Sequence, residues 1–344
     1  MGVNLKELFE RSQIRMEDLS GKIIAVDSFN MIFQFLSTIR SRDGSLLRDG
    51  RGRVTSHLIG LFSRTTHLMA LGIKPVFVFD GKHPELKKKE QERRHLVKKA
   101  AEKMYESAVE QQNIEDMRKY AARSSYLSEE MVDDAKKLIY LLGLPVVQAP
   151  SEGEAQAAHI VKKGDAWVVS SQDYDSLVAG TPRLIQNLSI AGRRKHSKNL
   201  AYTTVFPELT ELKPNLERLN INQEQLIMLS MLVGTDYNPG GIKGIGPKNA
   251  LKLVREHKTP DELFKVISWD EKSDVAWQDV WKTIKEMPVT DKYDISFKSL
   301  QEDSLKKFLV DEHDFGVERV ESVIKSLVKN SEQKKQAGLT GFFE

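Results

Sequence analysis

The chain has 344 residues, 40% of them hydrophobic, and 52 Lys and Arg against 49 Asp and Glu give it a net charge of +3. It contains no cysteine, which excludes disulfides and thiolate zinc sites. No apolar stretch nears the roughly 20 residues of a membrane span, and Met1 to Lys6 carry no secretory run. These facts predict an intracellular globular protein with a sizeable core.

In chain order, Lys22-Ile23-Ile24-Ala25-Val26 reads as a buried strand that stops at Asp27. A helix is expected from Met31 to Arg40, a polar loop from Ser41 to Gly52, and a helix from Ser56 to about Met69. Pro75-Val76-Phe77-Val78-Phe79 reads as a second strand, stopping at Asp80. Residues 82–135 are highly charged with no strand pattern, and so long an insertion between α/β units is usually functional. An amphipathic helix follows from Met131 to Leu142, then a short strand Pro145-Val146-Val147-Gln148. Ser151 and Glu154 fit the S-x-x-E box that opens a helix. Ala166-Trp167-Val168-Val169 is a further strand, leading to Asp173 and Asp175. Residues 193–200, with Arg193, Arg194, Lys195, His196, Ser197 and Lys198, read as a basic loop, and the chain from Asn222 onward as mostly helical. The alternation predicts an α/β fold with a mostly parallel central sheet and a helical C-terminal part.

Charge distribution says more than the sum. In an open α/β sheet, ligands sit outside the carboxyl ends of the strands. Asp27, Asp80, Glu152, Glu154, Asp173 and Asp175 all lie there, and Asp236 follows the apolar helix 226–233. Carboxylates so gathered repel unless a cation neutralises them, and oxygen ligands suit a hard ion such as Mg²⁺. Seven exceed one octahedral ion, which points to a two-metal site. Taken alone, the Ser151–Glu154 segment is simply a helix start, because acids favour that end of the helix dipole.

Gly244-Ile245-Gly246-Pro247-Lys248 resembles the helix-hairpin-helix motif, which grips DNA backbone without reading sequence. Lys243 and Lys248 flank it. Between Lys82 and Lys103 stand nine Lys or Arg and four Glu. Most such runs are solvated helix faces, but Lys87 and Arg94, seven residues apart, could share a face pointed at a phosphate. Phe342 and Phe343, beside the terminal Glu344, suit a disordered peptide that docks in a partner groove.

Together these motifs resemble the flap endonuclease-1 family of structure-specific 5′ nucleases, over essentially the whole chain. The resemblance implies a nuclease domain over 1–329, with a helical arch over about 82–135 and a helix-hairpin-helix module over about 234–256. It implies metal ligands at Asp27, Asp80, Glu152, Glu154, Asp173, Asp175 and Asp236, and catalytic arch bases at Lys87 and Arg94. DNA contacts are implied at Phe33, Arg40, Arg64, Lys243, Gly244, Gly246 and Lys248. Phe33 stands where the family often has tyrosine, so stacking remains without a hydroxyl. A flexible tail, 330–344, would carry a sliding-clamp box at Gln336, Leu339, Phe342 and Phe343 for a clamp of the proliferating cell nuclear antigen type. The implied activity is 5′ flap cleavage, with 5′–3′ exonuclease action, in replication and repair. Two Mg²⁺ per site, replaceable by Mn²⁺, and a monomeric nuclease are implied. Because the chain ends at the clamp box, an archaeal, cytoplasmic protein is expected rather than a nuclear one. A silent junction binder would lose carboxylates that are all here. A bubble-cutting relative would carry a longer insertion between Asp80 and Glu152.

Overall fold

A computed structural model describes residues 2–190, 192–195 and 202–340, with side-chain surroundings for all of these but 122–123, 190, 192–195, 202–203 and 331–340. The strands are β1 (Ser12–Gln13), β2 (Ile23–Asp27), β3 (Lys74–Phe79), β4 (Val146–Gln148), β5 (Val168–Ser170), β6 (Arg183–Gln186), β7 (Gly192–Lys195), β8 (Tyr202–Val205) and β9 (Glu208–Glu211). The helices used below are α1 (Ser28–Thr38), α2 (Ser56–Ala70), α3 (Lys88–Glu110), α4 (Ile114–Arg123), α5 (Glu129–Leu141), α6 (Gly153–Lys163), α7 (Asp175–Val178), α8 (Leu212–Arg218), α9 (Gln223–Val233) and α10 (Pro247–Glu256). A last long helix spans Val317–Thr340.

Seven strands form one sheet in the order β1-β9-β6-β5-β2-β3-β4. The run β6-β5-β2-β3-β4 is parallel throughout. β9 and β1 close one edge antiparallel. Side chains alternate between the faces of a strand, and here both faces are covered. Ala25, Val76, Val78, Val147 and Val169 pack with Ile160 of α6, Leu177 of α7 and Leu226 of α9. Ile24, Val26, Phe77, Phe79 and Val168 pack with Ile32 of α1, Leu58 of α2, Leu138 of α5 and Val320 of the last helix. Burial on both faces is why the strands read as continuous apolar runs rather than alternating ones.

Four expectations change. The 193–195 part of the expected basic loop is strand: β7 pairs antiparallel with β8, register Arg193 to Thr204. Residues 196–200 of that expected loop lie outside the described residues. The charged insertion is two helices, α3 and α4, and it ends before 135, because Met131 and Ala135 of α5 are already buried in the core. The expected mostly helical C-terminal part holds an extended strap over 287–301. Lys298 N donates to Gly143 O at 2.8 Å and Gln301 N to Leu141 O at 3.0 Å. Gln156 of α6 holds both backbone groups of Thr290, at 2.9 and 2.8 Å. Finally, the backbone expected as flexible tail continues the last helix to Thr340, carrying Gln336 and Leu339. Phe342 and Phe343 lie outside the described residues.

Candidate active site at the strand ends

Parallel pairing puts the carboxyl ends of β5, β2, β3 and β4 side by side. Asp27 closes β2 and caps α1: its Oδ1 accepts from Asn30 N at 3.0 Å, and its Oδ2 from Ser171 Oγ at 3.0 Å. Asp80 follows β3, and its Oδ1 accepts from Gly153 N, the first residue of α6, at 2.7 Å. Glu152 and Glu154 flank that same helix start. Asp173 and Asp175 follow β5, where the N-terminal segment folds back on them. Gly2 N donates to Asp173 Oδ1 at 3.2 Å and Val3 N to Asp175 Oδ1 at 3.0 Å.

The turn after Asp80 is laced to the loop after β4. Gly81 N donates to Ser151 O at 2.6 Å, and Lys82 N to Pro150 O at 3.2 Å. A Cβ at Gly81 would stand 2.2 Å from Ala149 O, so only glycine allows this approach. The predicted Ser151 cap does not form. Ser151 Oγ donates to Lys82 O at 2.9 Å instead, and no side chain of the N-cap residue, Glu152, bonds to the start of α6. The lacing takes the serine, and Asp80 takes its place at the helix start, where an acid is favoured.

The seven predicted carboxylates form an electrostatic chain, Asp80 acting on Asp27, Glu152 on Asp80, Asp175 and Asp27 on Glu154, and Asp173 and Asp236 on Asp175. Burial, then neighbouring Asp80, pushes the Asp27 carboxyl up to about 7. Burial, then Asp173, pushes Asp175 up to about 7, with Asp236 adding to it. Glu154 is raised well above its ordinary value by burial, then by Asp175 and Asp27. Asp80 is raised by burial and by Glu152. For Glu152, burial works upward but is outweighed by His83 and Lys87, which hold its carboxyl low. Tyr237 sits among Glu152, Glu154, Asp175 and Asp236, and burial raises its hydroxyl well above the usual range.

The two predicted arch bases meet this group. Lys87 Nζ is hydrogen-bonded to Glu152 Oε2 and stands 3.4 Å from Asp236 Oδ2. Arg94 Nη2 donates to Asp236 Oδ1 at 2.5 Å, and its Nε to Glu90 Oε1 at 2.6 Å. Glu90 is buried and also bound by Arg93, and together the two arginines, Arg93 first, hold its carboxyl down at about 2. Phe33 is half-buried on α1, with Lys98 Nζ 5.1 Å from its ring centre. Arg40, at the end of α1, donates to Gly44 O at 2.7 Å and to Ser125 Oγ, and Arg64 lies half-buried on α2. Lys243 and Lys248 are exposed beside the turn into α10. Gly244 there takes φ +86°, and a Cβ on Gly246 would meet nothing within 4 Å. The protein itself therefore leaves that backbone open to a phosphate.

Sequence reasoning missed Asn30, Ser171, His83 and Tyr237. Asn30 Nδ2 donates to Asp173 Oδ2 at 3.0 Å, so one residue braces both Asp27 and Asp173. His83 Nδ1 stands 2.9 Å from Glu152 Oε1. Asp80, His83 and Glu152 each bring one ligand atom within 4.8 Å of the others. The only available signal was position, since each lies within three residues of a predicted ligand.

Family models match the chain as an XPG N-terminal domain over residues 1–101 and an XPG I-region over 143–236. Curated flap endonuclease 1 proteins of Staphylothermus marinus and Pyrococcus furiosus are each 48% identical, over 100% of this chain and 100% of their own. The solved flap endonuclease-1 from Methanococcus jannaschii superposes with TM-score 0.76 at 41% identity, covering 97% of this chain and all of its own. The catalytic core of Rad2 bound to DNA shares the fold, with TM-score 0.70 at 21% identity, covering 95% of this chain and all of its own. Carboxylates from four adjacent parallel strands, an inserted basic helix pair and full-length identity near one half agree: the chain belongs to the flap endonuclease 1 family.

Proposed function

We propose that this family member is a structure-specific 5′ flap endonuclease, with 5′–3′ exonuclease action, serving DNA replication, including Okazaki-fragment processing, and repair. The observation that carries the mechanism is the convergence of seven carboxylates at one end of the sheet, four of them raised by burial and mutual repulsion. Such a donor set fits two hard divalent ions, Mg²⁺ with Mn²⁺ as substitute, because each cation relieves repulsion the fold leaves uncompensated. Asp27, Asp80, Glu152 and Glu154 would hold one ion; Asp173, Asp175 and Asp236 the other. Bound there, the ions would activate a water and neutralise charge on the leaving oxygen.

The chain's own residues do the rest. Asn30, Ser171 and the backbone of Gly2, Val3 and Gly153 orient the carboxylates. Lys87 and Arg94, now resting on Glu152 and Asp236, would transfer to the scissile phosphate and stabilise its charge. Lys243, Lys248 and the backbone at Gly244 and Gly246 would hold duplex phosphates, while Phe33, Arg40 and Arg64 would contact DNA nearer the cut. Mapped cleavage of a labelled double-flap DNA, with and without Mg²⁺, tests the reading; cutting of a bubble but not a flap would sink it.

The nuclease works as a monomer in this reading, in an archaeal cytoplasm. Gln336, Leu339, Phe342 and Phe343 dock on a sliding clamp. Apolar anchors often carry about 2 kcal/mol or more each. Titration of the Phe342→Ala, Phe343→Ala double variant against the cognate clamp decides this, and unimpaired binding would discard the docking role.

A further inference from the structure

His83 belongs to no role assigned so far. It stands three residues after Asp80, in the turn that Gly81 and Lys82 lace to the Pro150–Ser151 backbone. That lacing fixes its ring opposite Glu152. Its side chain is 35% exposed while that of Glu152 is 5% exposed, so the ring forms the outer wall of the carboxylate group. Glu152 divides its two oxygens: Oε2 takes Lys87, and Oε1 takes His83 Nδ1 at 2.9 Å. Asp80 has one oxygen committed to Gly153 N.

The spacing is informative. Ligands to one small divalent ion lie at about 2.0–2.2 Å from it, so two at right angles are separated by about 3 Å. The His83 nitrogen and Glu152 oxygen stand at that separation, and Asp80 supplies the third atom of a set lying within 4.8 Å. Carboxylate oxygens alone favour Mg²⁺, whereas imidazole favours transition ions, with affinity rising from Mn²⁺ to Co²⁺ and beyond.

We propose that His83 is a nitrogen ligand to the divalent ion held by Asp80 and Glu152, making this half of the centre a mixed nitrogen–oxygen site that binds Mn²⁺ or Co²⁺ more tightly than its carboxylates alone would. The proposal rests on the metal-site reading above. It makes His83 a determinant of metal choice.

The test uses the whole chain without DNA, titrated with Mn²⁺. Pulsed electron paramagnetic resonance should detect imidazole ¹⁴N coupled to bound Mn²⁺ in the wild type, and lose it in both His83→Ala and His83→Gln. Removing the residue should weaken Mn²⁺ binding on the order of tenfold or more. Mg²⁺, measured by competition, should change by less than about threefold, because it gains little from nitrogen. Both substitutions lie on an accessible turn, and metal-free urea melts check that the fold is intact. Absent ¹⁴N coupling in the wild type would overturn the proposal. So would Mn²⁺ affinity in His83→Ala equal to that of the wild type. Asp80→Asn separates the two readings. If it binds Mn²⁺ like the wild type, the metal centre itself falls. If it loses Mn²⁺ while His83→Ala binds normally, only the histidine ligand falls.

Discussion

Among the described residues, two clusters of buried charge are built on opposite plans. At the strand ends, like charges are gathered: Asp27, Asp80, Glu154 and Asp175 all have raised carboxyls, with burial the largest cause and a neighbouring carboxylate the next. Between α2, α5 and the residues before the last helix, opposite and neutral groups are gathered instead. Asp49 accepts from Arg51 N, Arg53 N and Arg53 Nε at 2.8–3.0 Å. Burial works against that carboxylate, but the Arg53 contacts outweigh it and hold it low. His313 lies between Asp49 and Asp134, 3.6 Å from each. His57 beside it is fully buried, and burial pushes its imidazole down to about 4. In the second cluster Arg53 neutralises Asp49, while the buried ring nitrogens of His57 and His313 find no hydrogen-bond partner. The first is left in deficit, and a deficit of charge that the fold does not repair is what a cationic ligand recognises.

The comparison breaks most visibly in catalysis. Asp80→Ala and Asp173→Ala should each lower flap cleavage on the order of 10³-fold while leaving flap affinity nearly intact, since binding rests on phosphate contacts elsewhere. Single-turnover cleavage beside filter binding checks this; near wild-type cutting in Mg²⁺ would remove either residue from the centre. Next in size are the cations that rest on the carboxylates. Lys87→Ala and Arg94→Ala should slow the chemical step by about 10²–10³ with little change in dissociation constant, as expected of charges used mainly in the transition state. A normal rate with weakened binding would return them to ordinary surface charges.

The balanced cluster should answer to pH. His57 is unprotonated when folded down to about 4, whereas an unfolded histidine protonates near 6.5. Between those values the unfolded chain binds more protons. The stability from His57 is therefore complete above about pH 6.5 and lost as pH falls toward 4, by up to about 3 kcal/mol. Urea melts of wild type minus His57→Leu, from pH 7 to 4, isolate this contribution, because the carboxylates cancel in the difference. A difference that stays flat with pH would mean that the buried imidazole is protonated as easily as a free one.

The smallest effect is the most direct contrast. Asp175→Asn keeps an oxygen for Val3 N and removes a repelling charge, so it should stabilise the metal-free protein by about 1 kcal/mol. Asp49→Asn breaks a charge-assisted bond and should destabilise by about 1–3 kcal/mol. Thermal melts in a chelator decide; shifts of the same sign would erase the distinction between the two clusters.

Much of the site was legible because its signals are local. Two ligand-bearing strands, β2 and β3, are apolar runs that run straight into an acid, at Val26-Asp27 and Phe79-Asp80, and acids follow β4 and β5 a few residues on; a parallel sheet then places those ends together by rule. Helix α10 begins at Pro247, where a proline suits the first helical turn. The short pairing strands β1 and β9, the strap over 287–301 and the bracing residue Asn30 were illegible, because nothing in their own windows specifies the partner they meet.

The sequence by itself therefore determined which residues are acidic, which runs are buried and where helices such as α2 and α5 lie, since these depend on composition and period within one element. Only the tertiary structure decided the occupancy of each contact. It turned Ser151 from a helix cap into a tie on Lys82, gave the start of α6 to Asp80, and set His83 against Glu152. The physical reason is competition: several donors and acceptors of similar strength converge at the strand ends, and which pairs form depends on the distances that sheet packing imposes rather than on any one residue's preference.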